Sequence, residues 1–118
     1  MLIKSITKRV IVAIGLATFV TTAQESREVI LDNDQVEVVR LTYPANTESG
    51  MHTHHYPFRT VYFVKGGKLE LIPEDQSKTS TILEVPDGKI LYLPATTHNV
   101  RNIGTSTVVI IENELKAQ

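Results

Sequence analysis

Three of the four histidines in this 118-residue chain stand within four positions of one another: His52, His54 and His55, in the stretch MHTHHYPFRTVYFVKGG. Neutral imidazole is the commonest side-chain ligand for divalent metals and suits Zn, Cu, Fe and Ni. In an extended strand, residues two apart share a face, so His52 and His54 project together while His55 points away or enters the following turn. Alone, His-X-His fits an exposed pair as readily as a metal site. The fourth histidine, His98, lies in GKILYLPATTHNVRN, shortly after a proline that ends an apolar run. All the histidines therefore fall in two stretches, and a fold that joins those stretches would make one site.

The elements that would position them read as strands. REVILD and QVEVVRLTY are rich in β-branched residues, with polar punctuation at Asn33 and Asp34 between them. RTVYFVK and KLELIP flank Gly66-Gly67, which predicts a tight hairpin turning on positive φ angles. TSTILEV and KILYLP flank Pro86-Asp87-Gly88 and repeat that hairpin pattern. A short strand at THNVRN and a last one at TVVIIENELK complete the series. Strands at regular spacing, separated by turn signals and without helical periodicity, imply an all-β sandwich or barrel.

The first segment stands apart. Residues 1–23 carry Lys4, Lys8 and Arg9, then an apolar run over 10–20, then the small residues Thr21 and Ala23. That order is the layout of a secretory signal peptide, and the run falls short of the ~20 apolar residues of a spanning helix. The expected organisation is a signal peptide over 1–23 and one domain over 24–118, periplasmic or secreted, with no membrane association after cleavage. Trimming would remove three basic and no acidic residues from a chain of formal net charge −1. The resulting acidic balance argues against nucleic acid as a partner. There is no cysteine, so disulfides cannot stabilise the domain even in an oxidising compartment. A packed core, a bound ion or a subunit contact must do so.

The two histidine stretches resemble the motifs of the cupin family, small β-barrels of the jelly-roll class. In the first motif, His-X-His is followed by a glutamate five residues later and a glycine seven after that; here His52, His54 and Gly66 are in register. The second runs Gly, Pro, His, Asn, matched by Gly88, Pro94, His98 and Asn102, with the Pro-to-His gap one residue short. The resemblance spans residues 36–115 and implies a single-domain cupin jelly roll. It also implies a divalent metal ion (Fe, Zn, Mn, Ni or Cu) held by His52, His54 and His98.

One position departs from the pattern. Arg59 stands where the family has its glutamate, and no Asp or Glu lies between Glu48 and Glu70. A guanidinium cannot ligate a cation and would repel one. It can pair bidentately with an anionic ligand, or bend to the rim and snorkel. Arg59 and His55 are thus the candidate substrate-binding residues, and no catalytic residue is identified.

Two functions compete: a metal-dependent oxidoreductase of dioxygenase type or an isomerase, acting on a small anionic molecule, and a non-catalytic binding or structural module. Tyr43, Tyr56 and Phe58 would line a pocket mouth or pack a homodimer seam. Asn102 is expected to tie down a turn.

Overall fold

The computed structural model describes Gly15 and residues 23–117. The signal-peptide expectation over 1–23 lies, but for Gly15 and Ala23, outside the described residues. Among those described there are nine strands and no helix: β1 Ser26–Asp32, β2 Val36–Tyr43, β3 His52–Thr53, β4 Phe58–Lys65, β5 Gly67–Pro73, β6 Thr81–Val85, β7 Ile90–Pro94, β8 Thr97–Asn102 and β9 Val108–Leu115. They form two antiparallel sheets, ordered β1-β2-β9-β4-β7 and β3-β8-β5-β6. This is the all-β jelly roll the sequence implied.

Strand alternation builds the interior. Along β4, Arg59, Val61 and Phe63 are buried while Phe58, Tyr62 and Val64 are exposed. Along β9, Val108, Ile110, Glu112 and Glu114 face inward. The apolar core gathers Tyr43, Phe63, Leu69, Val100, Val108 and Ile110 between the sheets. Each such side chain, once buried, contributes roughly 1.5–3 kcal/mol. Register then sets a gradient along the barrel: Phe63 pairs with Ile110, Val61 with Glu112 and Arg59 with Glu114. The interior is apolar at one end and charged at the other, where the histidines lie.

The first turn forms as the sequence suggests. The Asn33 carboxamide oxygen accepts the backbone N–H groups of Gln35 at 2.8 Å and Val36 at 3.0 Å, joining β1 to β2.

The two glycine turns do not close hairpins, contrary to the expectation. β4 lies in the five-stranded sheet and β5 in the other; likewise β6 and β7 belong to different sheets. Both connections are corners where the chain crosses between sheets, and they press on each other. Gly66 N–H donates to Asp87 Oδ1 at 2.7 Å, Gly88 N–H to Phe63 O at 2.7 Å, and Phe63 N–H to Lys89 O at 2.8 Å. A Cβ on Gly66 would stand 2.1 Å from the Val85 carbonyl oxygen. Gly66 is therefore required for close approach, whereas Gly88, at φ +83°, serves backbone conformation. The local hairpin is instead β5–β6, across the polar residues 74–80.

Candidate metal centre

The strand carrying the first histidines is only two residues long. It is held against β8, with His52 opposite His98 and Thr53 opposite Thr97. His54 N–H extends the pairing by donating to Thr96 O at 2.8 Å. This short ladder brings together two stretches distant in the chain. His52 Nε2 lies 3.1 Å from His54 Nε2, which lies 3.1 Å from His98 Nε2. The three ring centroids are separated by 4.8–5.1 Å, edge to face. His55 is exposed at the rim and takes no part in the cluster.

The hydrogen bonds behind the rings decide which nitrogen is free. His52 Nδ1–H donates to the Gly50 carbonyl at 2.9 Å. His54 Nδ1–H donates to a Glu114 carboxylate oxygen. In the neutral tautomer that these bonds favour, the Nε2 of each ring carries the lone pair and faces the other histidines. Burial, then the neighbouring His52, His54 and Arg59, pushes His98 down to about 3, so it too is neutral. Burial likewise lowers His52. Nitrogens ~2.0–2.1 Å from a tetrahedral zinc sit about 3.3 Å apart, close to the separation seen here. The donor set fits a divalent ion.

Arg59 points inward, 3% exposed, yet it does not line the main cavity. Its Nη1 donates to the Pro94 carbonyl, and its Nε lies 3.4 Å from Glu112 Oε2. The guanidinium thus faces a carboxyl group from within the protein, although its Nε makes no hydrogen bond. Burial and the adjacent Glu114 push Glu112 up to about 8. Burial works against ionisation of Glu114, but the hydrogen bond from His54 and the adjacent Glu112 carboxyl hold it below the usual range.

The histidine motif offers no carboxylate, yet β9 supplies two, Glu112 and Glu114. The signal was present in VVIIENEL, where alternation puts both on the face of Val108 and Ile110. Charged residues on a strand's buried face are costly and mark a site.

The cluster opens on a cavity of about 490 Å³ whose walls include His52, His54, Tyr43, Tyr56, Glu112 and Glu114. Glu25 and Glu37 add further carboxylates there, and Arg27 is paired with Glu37. On its other side, His98 meets a shallower depression of about 300 Å³ with Arg59 and Lys78. Asn102 lies away from both cavities, fully buried. It donates to Tyr43 O at 2.8 Å and Ser106 O at 2.9 Å and accepts from Gly104 N–H at 2.9 Å. It pins a turn, as its residue type suggested.

No protein-family model and no curated protein matches the chain. Solved structures do. A cupin domain from Bordetella pertussis Tohama I is 27% identical, covering 80% of this chain and 95% of its own, with a TM-score of 0.71. A double-stranded β-helix domain protein from Klebsiella pneumoniae is 20% identical, covering 79% of this chain and 77% of its own, with a TM-score of 0.62. An RmlC-like cupin family protein from Methanocaldococcus jannaschii is 16% identical, covering 78% and 80%, also at 0.62.

Proposed function

This chain belongs to the cupin superfamily, and on that premise we propose that it binds one divalent metal ion through His52, His54 and His98 and acts on a small molecule in the adjoining cavity. The single observation that carries the reading is the convergence of the three Nε2 atoms, with His52 and His54 held through Nδ1 by acceptors behind them. Imidazole suits Fe, Zn, Ni and Cu, and Mn completes the five that the motif resemblance implies. An ion held by these three residues would supply Lewis acidity or a place for dioxygen. The class of activity is metal-dependent oxidoreduction or isomerisation.

The chain's own residues bear on the ligand. The wide cavity has carboxylates on its walls, and Arg59 is already paired with Glu112. That arrangement supports a neutral, donor-rich ligand there better than an anion. The position of His55 on the cavity rim supports a contact with that ligand. Export to the periplasm rests on the pattern of residues 1–23 alone.

Elemental analysis of protein purified without a histidine tag tests the reading. We expect close to one ion per chain. Metal-free protein that also takes up none of the five metals on titration would sink the proposal. A non-catalytic binding module is the second reading, favoured by the lack of a general base other than His55 and the paired glutamates. A turnover screen on the loaded protein separates the two.

A further inference from the structure

We propose that Glu114 is the positioning residue of this centre, fixing His54 from behind, and that Glu112 and Arg59 hold Glu114 in place. The inference rests on the metal-binding reading above. The residues form one continuous chain through the barrel wall. The Pro94 carbonyl accepts from Arg59, Arg59 Nε approaches Glu112 Oε2 at 3.4 Å, and Glu112 adjoins Glu114. Glu114 then accepts from His54 Nδ1. His54 presents its other nitrogen to His52 and His98.

Register explains the arrangement. Glu114 is the cross-strand partner of Arg59 at the same height in the barrel. The negative charge absent from β4 is supplied one strand away, where it reaches His54 at Nδ1, the nitrogen turned away from the cluster. A carboxylate there fixes the tautomer and ring orientation and raises the basicity of the ligating nitrogen. It also offsets the guanidinium, which would otherwise weaken a centre of three neutral imidazoles. Glu114 Oε2, buried without a hydrogen-bond partner, leaves room for the Glu112 carboxyl to bond to it.

Two measurements test this, one independent of metal. In metal-free protein, ¹⁵N NMR of the imidazoles should find His54 with its proton on Nδ1, and Glu114→Ala should abolish that preference. Zn²⁺ affinity should fall about 10–100-fold in Glu114→Ala, as is typical for loss of such a partner. The isosteric Glu114→Gln keeps an acceptor but not the charge, so it should keep the tautomer, lose part of the affinity and shift the Co²⁺ absorption spectrum. Glu84→Ala, on an exposed carboxylate of β6 outside both cavities, should match the wild type in all three readouts. Failure of the wild type to bind metal would defeat the metal reading, while the tautomer measurement would still judge the role of Glu114. Unchanged tautomer and affinity in both Glu114 variants would overturn the proposal. So would a wild type that holds two ions and a Glu114→Ala variant that holds one, since the carboxylates would then be ligands of a second ion.

Discussion

Arg59 on β4 and Glu114 on β9 face each other across the strand pair, and the Arg59 guanidinium turns to Glu112, the neighbouring inward residue on β9. Above the point near pH 8 where Glu112 gives up its proton, removing the cation alone strands a buried carboxylate. At pH 9, Arg59→Leu should destabilise the metal-free protein by about 3–5 kcal/mol. Adding Glu112→Gln should recover much of that loss. Urea denaturation of the single and double variants checks this. Equal stability of Arg59→Leu and wild type would show that the pair contributes nothing.

Replacing His52 or His98 by Ala should abolish stoichiometric metal, and His55→Ala should keep nearly all of it. The first two stand on facing strands with their rings in contact. Calorimetric titration with Zn²⁺ is the measurement. Equal loss in all three variants would put the ion elsewhere.

The metal-free protein should be most stable over a mildly acidic plateau. Glu112 is raised from an ordinary 4.5 to about 8, so above 4.5 the unfolded chain has released a proton that the fold retains. Its contribution is present below 4.5 and fades as pH rises to about 8. His98 is lowered from 6.5 to about 3, so its contribution is present above 6.5 and fades as pH falls toward 3. The slopes oppose and offset between 4.5 and 6.5, and stability declines on either side. Denaturation midpoints from pH 4 to 9 would trace this, and Glu112→Gln should flatten the alkaline limb. Stability that climbs from pH 6.5 to 8 would contradict it.

Asn102→Ala should cost about 2–4 kcal/mol, because it leaves two carbonyls and one N–H without their partner inside the barrel. Metal stoichiometry should be unchanged in the folded variant. Thermal melts and metal analysis on the same sample test both halves.

Strand positions were legible because β-branched alternation is a local signal. Partners were not: a glycine turn serves a hairpin and a crossing between sheets alike, and the distinction rests on Gly66 meeting Val85, contributed by a distant strand. His52 and His54 could be assigned one face by parity alone. The carboxylates of the centre could not be found near the histidines, because they arrive from β9 through sheet pairing rather than through the motif.

The position of β9 also governs how the molecule is assembled. It lies between β2 and β4, hydrogen-bonded to both, although it is the last strand in chain order. Among the described strands, only β1–β2 and β5–β6 are pairs of consecutive strands. The other pairings must close long loops before any stabilisation is gained, which makes folding slow. Until β9 inserts, the larger sheet is split in two, and its halves expose unpaired edges that invite association with other chains. A lesion in β9 would therefore be felt first as poor yield and aggregation during synthesis, before any loss in the finished protein.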